Sequence, residues 1–176
     1  TDETHYYLQG VYVEPHPQGG VLLVSTDGHR LIVVRDETGF ADETAVIKLE
    51  KDALKHCKSK RGDCREIVID SGMNEAAIRL VSGTADEPEY SPLAIAYRVR
   101  VDGTFPDYRH VIPTEFEGGT PAFNGGYLGS FGDIGKDLAE HVHGVSRETP
   151  AMRLTPNDNG PALITWPDYA EIAFGI

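Results

Sequence analysis

Asp27, His29 and His110 are the residues whose types could do acid–base or nucleophile-activating chemistry. A small hydrolase built on them would need more: a nucleophile on a strained strand-to-helix turn, metal-ligand spacing, or a glycine-rich phosphate loop. None is present in the sequence. His141-Val142-His143 is no better as a metal pair, because residues two apart do not share a helix face; a solvated or helix-end role fits them. Asn157-Asp158-Asn159-Gly160 lacks the glutamate at the twelfth position of a calcium loop and reads as a hairpin turn. Cys57 and Cys64, with six residues between them and no second pair, make a poor zinc site and are read as free thiols of a reducing compartment. No metal, no cofactor and no catalytic residue is expected. The chemistry left to this chain is non-covalent: binding.

Two features could bind. Ser25-Thr26-Asp27-Gly28-His29-Arg30-Leu31 holds an Asp-Gly turn, in which Gly28 supplies the positive φ. It leaves His29 and Arg30 at a strand edge beside an apolar floor of Leu8, Leu31 and Val111. Such a groove suits an extended peptide with one or two apolar anchors, each worth roughly 1.5–3 kcal/mol when buried. The second feature is a basic helix face. Lys51, Lys55 and Lys58 recur at i, i+4 and i+7, with Lys60 and Arg61 just beyond. Seven of the sixteen Lys and Arg residues fall between Lys48 and Arg65, against three acids, in a chain of net charge −12. The total argues against a surface that coats nucleic acid, while the local excess leaves one basic face. A stripe of this kind is a solvated face or a set of phosphate contacts.

The elements that must position these residues are short. Tyr6–Glu14, Val21–Ser25 and Arg30–Arg35 read as an antiparallel meander, with Pro15–Gly20 as one of its turns. Ala45–Leu49 reads as a strand and Glu50–Ser59 as a helix, followed by strands over Arg65–Asp70, Ala76–Val81 and Leu93–Val101. The order then repeats. Pro121–Phe123 reads as a strand and Tyr127–His143 as a helix with a Phe131, Ile134, Leu138, Val142 stripe. Strands follow over Met152–Thr155, Ala162–Thr165 and Tyr169–Phe174. Gly83–Ser91 and Thr114–Gly119 read as a solvated loop and a connector. Trp166 reads as a hairpin-tip residue or part of an interface. The fold class is therefore α+β: repeated β-α-β-β-β units, antiparallel sheets, and both helices on one face. Hydrophobic content of 40% and charged content of 25% suit a soluble globular chain, and no apolar run reaches a membrane span. A cytoplasmic setting is expected.

Phe105-Pro106-Asp107-Tyr108-Arg109-His110-Val111-Ile112-Pro113, the Ser25–Leu31 segment and Tyr6-Tyr7-Leu8-Gln9-Gly10-Val11-Tyr12 occur in an order and spacing that resemble the bacterial sliding clamp, the β subunit of DNA polymerase III. The resemblance matches residues 1–113 to that family's middle domain without its opening strand and helix. It matches 120–176 to a final half-domain, giving a truncated or divergent form of the DNA-clamp fold. It implies a replication or processivity protein, not an enzyme, that takes polymerase or clamp-loader type peptides in a hydrophobic groove. The groove residues it implies are Leu8, Thr26, Gly28, His29, Arg30, Leu31, Pro106, His110 and Val111, with a far wall near Pro161 and Phe174. It implies non-specific contact with duplex DNA through Lys51, Lys55, Lys58, Lys60 and Arg61, and homo-oligomers formed through sheet edges. His110 departs from the family's usual Arg, and a Met-Pro-Met-Arg-like tail is absent. Asp133, Asp137 and Glu140 on the second helix leave it without a basic stripe. A non-ring adaptor or competitor module that binds clamp-associated peptides, or the clamp itself, is the alternative.

Overall fold

The computed structural model describes residues 8–57, 64–70, 73–83, 86–143, 149–170 and 173–176. Among the described residues, ten strands and two α-helices follow one another as β1 (Val11–Pro15), β2 (Val21–Thr26), β3 (Leu31–Asp36), β4 (Ala45–Ile47), α1 (Lys51–Cys57), β5 (Cys64–Asp70), β6 (Glu75–Gly83), β7 (Pro88–Tyr97), α2 (Gly125–His143), β8 (Arg153–Thr155), β9 (Leu163–Thr165) and β10 (Ala173–Gly175). A seven-stranded sheet runs β4-β1-β2-β3-β10-β9-β8, and a three-stranded sheet runs β5-β6-β7. Every ladder is antiparallel.

The seam of the large sheet is β3 against β10, with Val33 opposite Phe174 and Val34 opposite Ala173. The meander at the start of the chain and the last three strands thus share one sheet. The period-2 alternation sorts their side chains onto two faces. Val13, Ala45, Leu23, Val34 and Ala173 lie opposite one another in register on one face. Val13 and Ala45 pack with the α1 core of Ile47, Ala53, Ala76 and Ile78. Val34 and Ala173 pack with the α2 core of Phe131, Ala139, Ile164 and Trp166. Both helices therefore cover the same face, as the pattern of elements predicts. The other face carries Tyr12, Val24, Val33 and Phe174, and the Phe105–Ile112 segment closes over it.

Several elements differ from their expected bounds. The segment after β7 leaves its sheet at Arg98, whose φ is 55°. Val99 and Val101 then bond across to Lys48 and Val46, so the expected strand to Val101 is split between two sheets. In the other direction β7 starts at Pro88, and the expected loop over Gly83–Ser91 is shorter, because Glu89, Tyr90 and Ser91 pair with β6. Pro121–Phe123 forms no strand: it pairs with none of the described residues, and Phe123 is exposed. Helix α2 begins two residues early because Asn124 caps it, accepting from the Gly126 N–H at 2.8 Å. Of the strand expected over Tyr169–Phe174, Tyr169 closes the 3-10 turn Pro167–Tyr169, and among the described residues only Ala173 and Phe174 are in a strand, β10. Trp166 is neither a tip nor an interface residue. It is fully buried beneath α2, its indole at 2.5 Å from where a Cβ on Gly135 would stand. A glycine is required there by close approach of helix and ring.

Candidate binding site

The Asp27-Gly28 turn is held by its own side chains. Gly28 takes φ +84°, as the sequence requires. Asp27 Oδ1 accepts from the His29 and Arg30 N–H groups at 3.0 and 2.9 Å, and Thr26 Oγ1 donates to the Arg30 carbonyl at 2.7 Å. Burial alone would raise the Asp27 carboxyl, but the Arg30 guanidinium and those two backbone donors outweigh it and hold the group below its ordinary value. Arg30 also donates to Ser130 Oγ at 2.6 Å and lies 4.7 Å over the Tyr127 ring, on which His29 stacks at 5.8 Å. The turn is thereby fixed to the first turns of α2.

Between them opens a cleft of about 390 Å³, lined by Leu8, Thr26, Asp27, Arg30 and Leu31 on the sheet side and by Ser130, Phe131 and Ile134 of α2. Its far wall is therefore α2, not the last strands as expected from the sequence. The apolar stripe of α2 was legible, but periodicity alone assigns all of it to the core. The structure leaves Ile134 half-buried at the cleft and gives Ser130 to Arg30.

The other expected groove residues are placed differently. Gly28 and His29 are exposed at the turn beside the cleft. Pro106, His110 and Val111 are exposed on the outer side of the Tyr108–Val111 3-10 turn and line neither this cleft nor the second one described below. The residues of that segment that face the sheet are Phe105, Tyr108 and Ile112. Val111 is thus not part of the apolar floor; the 3-10 register turns it outward and brings Ile112 in. Pro161 is exposed after the β8–β9 turn, while Phe174 lies on the helix-free face of the sheet. Phe105 stacks on Tyr12 at 4.9 Å, and Tyr108 Oη donates to buried Glu14 Oε1 at 2.6 Å. Arg109 donates to the same oxygen and stands 4.7 Å over the Tyr108 ring. Burial and the neighbouring Glu14 carboxylate push the Tyr108 phenol far above its ordinary value.

On the helix side, Lys51 and Lys55 are exposed. Lys55 Nζ stands 2.6 Å from Asp52, and Lys136 of α2 stands 3.0 Å from Asp133. Lys58, Lys60 and Arg61 lie outside the described residues. Among the described residues, no three His, Cys, Asp or Glu side chains gather where a metal ion could sit. No helix of the described chain is long and apolar enough to cross a membrane.

This architecture of antiparallel sheets and two helices is shared with solved structures. The chain aligns over 100% of its length with the sliding clamp (DNA polymerase III subunit β) of Bartonella birtlesii bound to griselimycin, at TM-score 0.56, 22% identity and 59% of that chain. The β subunit of Streptococcus pyogenes matches 99% of it at TM-score 0.56 and 13% identity, over 58% of that chain. The fold is the DNA-clamp fold. Among curated proteins, the β sliding clamp of Caulobacter vibrioides is 32% identical over 120 residues, which is 65% of this chain and 29% of the relative. That of Synechococcus elongatus is 28% identical over 117 residues. The chain is similar to bacterial β sliding clamps in sequence as well as in fold, and the match spans less than a third of the length of those curated relatives. No family model matches it.

Proposed function

We propose that this chain acts in DNA replication as a sliding-clamp-type accessory factor that captures partner peptides at the cleft beside the Asp27-Gly28 turn. The partners are short segments of the polymerase or clamp-loader type, with large apolar anchors. The observation that carries this reading is the cleft itself: an apolar lining of Leu8, Leu31, Phe131 and Ile134, rimmed by a turn whose polar groups are already satisfied. Apolar side chains entering it leave water at no cost in broken hydrogen bonds. Arg30 is a positioning residue here, its guanidinium being taken up by Asp27, Ser130 and the Tyr127 ring. A labelled peptide carrying adjacent Leu and Phe anchors tests the reading by fluorescence anisotropy. Leu8→Glu is expected to weaken capture more than tenfold and Val111→Glu to leave it unchanged. Equal capture by both variants and the parent would refute this assignment.

A second reading concerns DNA. Lys51 and Lys55 face solvent on the helix side, where non-specific phosphate contacts would be made, with binding that falls steeply as salt rises. Against encirclement stand the carboxylates beside the helix lysines, Asp52 at Lys55 and Asp133 at Lys136, and the exposed Asp137 and Glu140. This charge pattern favours the non-ring module that binds clamp-associated peptides or the clamp itself. Light scattering during size exclusion separates the two: a closed homo-oligomer joined through sheet edges supports the ring, and a monomer at high micromolar concentration supports the module.

A further inference from the structure

A second groove of about 370 Å³ lies on the face of the large sheet away from the helices. Its floor is Leu22, Val33 and Phe174, and Tyr108 and Ile112 form one wall. Ala170 forms the opposite wall, and Val33 and Phe174 meet across the β3–β10 seam, so the groove exists only because those strands pair. His16, Arg35 and Arg109 line it as well, adding a cationic part to an apolar floor.

The acids touching these cations leave them under-used. Arg35 reaches the exposed Glu37 only at 3.6 Å and the Gly19 carbonyl at 3.3 Å, while its Nε is buried and meets no acceptor among the described residues. Glu14 is buried, and one of its oxygens serves both Tyr108 and Arg109. Arg109 keeps 57% of its side chain accessible. A buried N–H without an acceptor costs free energy, and a carboxylate beside a guanidinium supplies the strongest acceptor available.

We propose that this groove is a second docking site, separate from the turn cleft, for an extended peptide bearing a large apolar residue and, two positions on, Asp or Glu. In an extended chain those two side chains point to one side, about 7 Å apart. The apolar one covers Val33 and Phe174 and the acidic one meets Arg35 and Arg109. The acid gives specificity; the apolar contact gives most of the affinity.

The test is an NMR titration of the full chain with acetyl-Gly-Phe-Ser-Glu-Gly-amide, alongside versions with Gln for Glu and Ala for Phe. Saturable shifts are expected at the Leu22, Val33 and Phe174 amides. The Gln peptide and the Arg35→Gln variant should each bind about tenfold more weakly. Ala170→Glu, an exposed change on the wall, should abolish the shifts by crowding and repulsion while the rest of the spectrum is kept. Equal binding of the Glu and Gln peptides would overturn the proposal. So would no saturable shift up to about 10 mM, or shifts confined to Leu8, Thr26 and Ser130, which would assign the peptide to the turn cleft. Loss of this site leaves the peptide-capture reading standing, since the two clefts share no lining residue.

Discussion

Arg30 Nη1 donates to Ser130 Oγ at 2.6 Å across a sequence separation of 100 residues. That bond ties the turn at the start of the chain to the helix of the last unit, and the cleft lies between them. The same guanidinium reaches Asp27 Oδ2 through Nε and Nη2 at 3.0 and 2.5 Å, so it stays fixed in one direction. Arg30→Ala removes a charged hydrogen bond and a cation–π contact together and should cost about 2 kcal/mol. Ser130→Ala should cost about 1 kcal/mol, since Arg30 keeps Asp27. Urea unfolding of both variants checks the ranking.

Glu14 is buried at 6% exposure and accepts from two donors. Glu14→Ala leaves the Tyr108 hydroxyl without its acceptor and should destabilise by about 3 kcal/mol. Tyr108→Phe leaves Glu14 with Arg109 and should cost about 1.5 kcal/mol. A double-mutant cycle in chemical denaturation should give a favourable coupling between the two. Additive effects would mean that this bond does not fasten the Phe105–Ile112 segment.

A glycine inside a helix usually costs about 1 kcal/mol relative to alanine. Gly135 reverses the sign. A Cβ there would stand 2.5 Å from Trp166 Nε1 and 2.9 Å from Cδ1 in a filled core. Gly135→Ala should lower stability by about 1–3 kcal/mol and raise the near-ultraviolet mobility of the indole; thermal denaturation followed by near-ultraviolet dichroism reads both.

The Asp27 carboxyl is held below its ordinary value in the folded chain. A depressed carboxyl adds stability that is complete above its unfolded value near pH 4 and is lost as pH falls through the folded value. Asp27→Asn should therefore flatten the acid limb of the stability profile below about pH 4 and leave its alkaline limb alone. The group is 42% exposed, so solvent screening keeps the effect small.

Cys57 is half-buried, and burial raises its thiol, with Arg65 pulling the other way. Cys64 is exposed at the start of β5. Iodoacetamide at pH 8 should label Cys64 first, with Cys57 following only as the helix opens; peptide mass mapping over time reads the order.

The order of the elements apart from Pro121–Phe123, the apolar stripe of α2 and the Asp27-Gly28 turn were legible in the sequence, because periodicity and turn chemistry act over a few residues. Gly28 at positive φ and the α2 stripe around Phe131 are of that kind. What lies opposite what was not legible. Ser130 as the partner of Arg30, the pairing of β3 with β10, and Val111 turning outward while Ile112 packs inward depend on contacts between distant segments. Those contacts are chosen by the packing of the whole sheet, and no local pattern encodes them. The sequence by itself determined most of the local elements and the resemblance to bacterial β sliding clamps. Only the tertiary structure decided which side chains share a cleft, since one step of strand register or one 3-10 turn moves a residue from floor to solvent.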